Sequence, residues 1–366
     1  MIVPTLTRWL AWRGCSMRPI AAGDRMEWLD LGRGLCMVLV VIMHVHVIHY
    51  LPLFRHSPFR DAWTTFIDIA QPIRMPTFFA ISGFLAARAI WRPWKDAFQK
   101  RVLLLSYVYA VWLLISLLIA HSFRMQWSSD VAGGLPREFV AELIYPQTIL
   151  WYLYALVGYF LVARFARDLP LAVTLSAAVL LAIMSDLLPT PQAARLARNL
   201  LFFLIGGYLP AALNHIAQRA SARSAMLSAS AFAAMMGLAW MAGSHVPGIT
   251  LPASLAGIWL CLTVSKLMAD SWAAPHLMEI GRRTLPIFLL HGLIIDMLNR
   301  TAIGPAGAIF QPVRTHMALA AIYPLAASAL VIVVSLMIHR LLLSIGQDWL
   351  FALPTPWRRQ RLPVPA

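Results

Sequence analysis

The stretch LDLGRGLCMVLVVIMH, residues 29–44, reads as the opening of a membrane-spanning helix, yet it carries Asp30, Arg33 and His44. A span needs only to be apolar, and an Arg or Asp at its centre costs about 2.5–3.5 kcal/mol on insertion scales. Helical geometry sorts the three. Arg33 and His44 return to within about 20° of one another in azimuth, separated by about 16 Å along the axis. Asp30 lies one turn before Arg33, about 60° away. One stripe therefore carries an acid and a guanidinium near one end and an imidazole deep in the membrane. His46 points almost oppositely, so the cluster HVHVIH is not a single polar face. Taken singly, Arg33 fits a topology anchor paired with Asp30, and His44 fits a hydrogen-bonding residue between helices. Their alignment on one stripe adds a third reading, a hydrated site.

The chain around this stretch is 366 residues long, 60% hydrophobic and only 12% charged, with a mean hydropathy of +0.71. A soluble domain carries about 25% charged residues. Apolar runs of about 18–25 residues, each long enough for a hydrocarbon core of about 30 Å, recur along nearly the whole length. The short alternating segments of a lipid-spanning barrel are absent. The expected fold is all-α, a polytopic transmembrane helix bundle of about ten spans: 31–50, 69–90, 102–120, 148–166, 170–188, 198–213, 225–243, 249–269, 285–299 and 317–344. Residues 1–25 read as an uncleaved cytoplasmic N-terminal arm, 26–345 as the transmembrane domain and 346–366 as a cytoplasmic C-terminal tail. The largest hydrophilic connection is 121–147.

The net charge of +15 does not gather into a basic domain, so no nucleic-acid partner is expected. The charges punctuate the apolar runs instead. With the N-terminus inside, twenty basic residues fall on the cytoplasmic side of the ten-span scheme and eight outside, which places both termini in the cytoplasm. Arg outnumbers Lys by 27 to 3, a coding bias that suggests a bacterial source and hence the inner (cytoplasmic) membrane. Cys15, Cys36 and Cys261 have no disulfide or metal-ligand spacing. No metal and no bound cofactor is expected.

Further polar signals sit in QPIRMPTFFAISGFL, where Arg74 opens the second span and Ser82-Gly83 would allow close backbone approach. Arg74 is the more informative, a cation at the outer end able to hold a carboxylate or a polar acceptor. RAIWRPWKDAFQKR gathers Arg88, Arg92, Lys95, Lys100 and Arg101 with two tryptophans. It reads either as a solvated loop on membrane lipid headgroups or as a dock for a polyanionic donor. GRRTLPIFLLH places His291 inside a span, as packing or as part of a site.

In order and spacing, RMEWLDLGRGLCMVLVVIMH, RMPTFFAISGFL, WYLYALVGY and GRRTLPIFLLH resemble the membrane acyltransferase-3 family, in particular its stand-alone sugar O-acetyltransferases that decorate bacterial exopolysaccharides. The resemblance implies transfer of an acyl group, usually acetyl from acetyl-CoA, to a hydroxyl of a glycan or lipid-linked sugar. It implies donor binding from the cytoplasm and acceptor presentation from outside; a polysaccharide assembly complex is a further partner, and a non-catalytic role within one is a third class that the intact Arg33/His44 pair speaks against. By it, Arg33 and His44 match the functional pair of the first span, with Asp30 beside them. Arg74, Ser82 and Gly83 match the second-span motif, Lys100 and Arg101 the donor-binding region, and His291 a conserved-type His. Phe288 stands where that segment often has a Tyr. On this reading His44 is the general base. A polytopic transporter of a glycan or small polar solute is the alternative, since charged residues in spans also line transport paths; paired broken helices and repeat symmetry are not evident in the sequence.

Overall fold

The computed structural model describes residues 26–123, 134–243, 246–311 and 316–354. Among them every regular element is helical. In lipid this is forced, because each backbone N–H and C=O must find its partner within the segment. We label the helices α1 Glu27–Leu53, α2 Arg60–Trp91, α3 Arg101–Phe123, α4 Gly134–Ile144, α5 Trp151–Ala166, α6 Leu171–Met184, α7 Pro191–Tyr208, α8 Pro210–Gln218, α9 Ala222–Ala242, α10 Leu251–Leu267, α11 Ala274–Arg282, α12 Thr284–Ile303 and α13 Met317–Ser344.

Among the described residues seven helices are long and apolar enough to cross a membrane, or eight if α7 and α8 form one span. That pair bends by 79° at Pro210, which has no N–H to carry the α7 ladder onward. α5 and α6 are apolar but shorter, so ten crossings exceed what length and composition alone support. Within the hydrophilic 121–147 connection, residues 134–144 form α4. α2 starts at Arg60, well before the apolar stretch, because its polar opening turns continue the helix.

Burying apolar side chains from lipid gains little, so membrane helices associate by close backbone approach. Two glycine crossings do this. A Cβ on Gly83 of α2 would lie 2.0 Å from the Phe203 carbonyl oxygen of α7, and one on Gly206 of α7 would lie 1.9 Å from that of Ala80. α11 meets α1 in the same way, through Gly34 against Leu277 and Gly281 against Asp30. Outward-facing Leu114, Leu118, Leu180, Leu330 and Leu341 are exposed, as a lipid-facing surface requires.

α1 is α-helical to His44 and then runs as a π-helix over Val45–Tyr50. The wider turn gives each histidine of HVHVIH its own neighbour. His46 Nε2 sits 3.2 Å from Thr64 Oγ1 of α2. His49 Nε2 sits 2.6 Å from the Tyr323 hydroxyl of α13. His44 turns to α12.

Candidate active site

Two cavities are stacked between α1, α2, α5 and α12. The smaller, of about 210 Å³, is lined by Arg33, Ser82, Arg101 and Thr284 among apolar side chains. It lies where α1, α3 and α12 begin and α2 ends. The larger, of about 470 Å³, is lined by His44, Asp68, Arg74, Trp151, Arg195 and Arg198, among others. It lies towards the starts of α2, α5, α7 and α10. Phe78, Tyr152 and Phe288 line both. Phe78 stacks on Tyr152 at 4.8 Å between centroids, and Phe288 meets Tyr152 at 5.4 Å. An aromatic septum therefore divides the two.

The Arg33–His44 stripe is thus split between two chambers. Arg33 Nη2 donates to Thr284 Oγ1 at 2.5 Å. Asp30 lines neither cavity; its carboxylate accepts from Arg282 Nε at 3.1 Å and ties α11 to α1. Arg101 donates through Nη2 to the Leu85 carbonyl at 2.5 Å. The side chain of Lys100 lies outside the described residues. Gly83 serves the α2–α7 crossing and lines neither cavity. Ser82 Oγ donates to Phe78 O at 2.8 Å and lies 2.6 Å from the Tyr152 hydroxyl. A serine has one proton to give, so Tyr152 is the donor in that second bond.

At His44, hydrogen-bond bookkeeping fixes the tautomer. Nδ1 lies 3.0 Å from the Val40 carbonyl oxygen, which only accepts, so Nδ1 carries the proton. Nδ1 is also 3.2 Å from His291 Nε2. His291 Nδ1 lies 2.8 Å from Phe288 O and 3.1 Å from Ile287 O, so it too is protonated and its Nε2 accepts. The assignment follows from the acceptors rather than from seen hydrogens. His44 Nε2 keeps its lone pair for the larger cavity. His291 itself is fully buried and lines neither cavity.

A buried carboxylate fixes the cavity's rim. Glu142 of α4 accepts the backbone N–H of Gln147 at 2.9 Å and of Thr148 at 3.1 Å, and both residues line the larger cavity. Burial raises the Glu142 pKa above the ordinary carboxylate range, against the pull of those two bonds. Tyr152, Thr284 and Arg195 were not singled out from sequence. Tyr152 lies within WYLYALVGY, whose Trp and Tyr residues also fit an interfacial aromatic belt. Among the described residues no group of three or more His, Cys, Asp or Glu is placed to hold a metal ion.

The family model described as an acyltransferase domain matches residues 26–351. The chain is similar to the inner membrane protein YcfT of Escherichia coli, with 28% identity over 348 residues that cover 90% of this chain and 96% of that protein. No solved structure matches.

Proposed function

Since the chain belongs to the acyltransferase-3 family, we propose that it is a multi-pass inner-membrane O-acyltransferase, moving acetyl from acetyl-CoA to a hydroxyl of an exported glycan or its lipid-linked precursor. One observation carries this reading: His44, its tautomer set by the Val40 carbonyl and backed by His291, offers a free Nε2 to a cavity. In the reaction, Nε2 takes the proton of the acceptor hydroxyl as its oxygen attacks the thioester carbonyl. The C–O bond forms, the C–S bond breaks, and the coenzyme A thiolate leaves and recovers the proton from the imidazolium. A positioned base of this kind is worth about 10²–10⁴-fold.

The smaller cavity is the donor side. Arg33 and Arg101 meet the entering pantetheine arm, and the basic segment through Lys95 and Lys100 meets the phosphates. Asp30 supports the site from behind by holding α11 on α1. The excess of basic residues supports placing this end, and both termini, in the cytoplasm. α5, α6 and the bent α7–α8 pair supply the crossings that bring the count to ten. Coenzyme A then stays inside while its thioester reaches the acceptor, which comes from outside and could be handed over within a polysaccharide assembly complex.

The test is the O-acyl content of surface glycan from cells lacking the gene, complemented by wild type or His44→Ala at equal membrane levels. Wild type restores a base-labile acyl group and His44→Ala does not. Full restoration by His44→Ala removes it as the base. Release of free coenzyme A thiol by purified protein separates transfer from transport, which moves solute without consuming thioester.

A further inference from the structure

The larger cavity holds more positive charge than its surroundings offset. Arg74, Arg195 and Arg198 line it with one carboxylate, Asp68. Arg198 is matched by Asp186 outside the cavity, and the other Asp186 oxygen accepts the Gly248 N–H at 2.9 Å. That pair is closed on itself. Arg195 lies 5.3 Å over the Trp151 ring, its charge turned to a π face. Arg74 is the unusual one: only 7% exposed, it makes one long 3.4 Å bond from Nη1 to the Ile67 carbonyl. Its Nε is buried and meets no acceptor.

A guanidinium brings five donors in a planar fork that fits an oxyanion through two parallel bonds. A buried one held by a single long bond, with its Nε unmet, is a site built for a guest that brings further acceptors. The walls suit a sugar, with Trp151 and Trp240 as flat faces and Gln71, Gln147 and Asn199 as uncharged partners.

We propose that this cavity recognises an acidic acceptor: a sugar unit whose carboxylate or phosphate ester is held by Arg74, with Arg195 beside it, so that a neighbouring hydroxyl is turned to His44 Nε2. The inference rests on the reading of this cavity as the acceptor chamber. It makes Arg74 and Arg195 determinants of substrate class, and it assigns the surplus charge to substrate rather than to topology.

The test uses the full-length protein in nanodiscs of phosphatidylcholine, with D-glucuronate, glucose 1-phosphate, glucose and inorganic phosphate as probes and thermal stabilisation as readout. At least one sugar acid is expected to bind tenfold or more tightly than glucose, and whichever does so names the oxyanion. Arg74→Gln is expected to lose that preference, while Arg74→Lys keeps part of it with the same ligand-free melting point as Arg74→Gln. Equal binding of glucose and both sugar acids overturns the proposal. So does an unchanged preference in Arg74→Gln, binding of inorganic phosphate as tight as glucose 1-phosphate, or stabilisation by phosphatidylglycerol alone. Thiol release from acetyl-CoA, followed in the same samples, separates the two readings. Sugar-acid binding without thiol release under any condition keeps the anion site and removes the acyltransferase; thiol release driven equally by glucose and by the sugar acids does the reverse.

Discussion

On the proposed mechanism His291, which lines neither cavity, acts through His44. Its Nε2 accepts from His44 Nδ1, and that bond must strengthen when His44 takes a proton, because both ring nitrogens of an imidazolium donate. A hydrogen bond to a charged group contributes about 1.5–3 kcal/mol, so its loss translates to about tenfold to a hundredfold in rate. We therefore expect His291→Phe to lower kcat by that factor with little change in acceptor KM. His291→Gln, which again offers an acceptor, should recover part of the loss. Equal losses in the two variants, or a loss confined to KM, would make His291 a packing residue. Arg33 and His44 were legible as one stripe because the period of a helix is fixed. Thr284 and His291 were not legible as their partners, since they lie 251 and 247 residues away and nothing in a local pattern encodes which helix returns to which.

At the scale of elements, the α2–α7 crossing holds Arg74 and Ser82 of one helix in register with Arg195 of the other. Gly206→Ala would set a Cβ 1.9 Å from the Ala80 carbonyl oxygen, and backbone cannot rotate aside as a side chain can. The helices must part, at a cost of about 1–3 kcal/mol by analogy with overpacked cores, and both cavities shift with them. A lower melting point and reduced transfer are expected together. Gly158→Ala is the control: nothing stands within 4 Å of its Cβ, so stability should hold or rise by about 0.5–1 kcal/mol. The α4–α5 link adds a pH dependence. Glu142 has a raised folded pKa through burial, so the folded state holds its proton to higher pH than the unfolded chain does. Stability from this group is greatest below the ordinary carboxylate value of about 4.3 and is lost as pH rises through the folded pKa. Melting points of wild type and Glu142→Gln against pH should show that step in wild type only. A step in both assigns it elsewhere. Hydropathy found the apolar runs because their composition is what lipid selects. It carried the 198–213 run straight across the break at Pro210, and it passed over α4, whose residues are too polar to register as a span.

For the whole molecule, the stacked chambers set the problem that acyl transfer has to solve. Arg33 and Arg101 mark one chamber and His44 the other, while attack requires hydroxyl oxygen and thioester carbon within about 3–3.5 Å. Phe78, Tyr152 and Phe288 stand between, clamped by the Tyr152–Ser82 hydrogen bond of 2.6 Å. On the proposed reading a thin pantetheine arm parts the three rings, and closed rings would keep water of the Arg33 chamber from His44. Opening the septum should therefore uncouple the reaction. In Phe288→Ala, water reaches His44 from the donor side and competes with the acceptor hydroxyl, so thioester is consumed without ester formed. The ratio of thiol released to O-acyl ester formed should stay near one in wild type and rise several-fold in Phe288→Ala. Tyr152→Phe keeps the ring and removes only the clamp, so its rise should be smaller. If transfer falls in Phe288→Ala while the ratio stays near one, the rings position the thioester without sealing it. The seal and the base would then be separate devices, and water would have to be excluded by the acceptor itself.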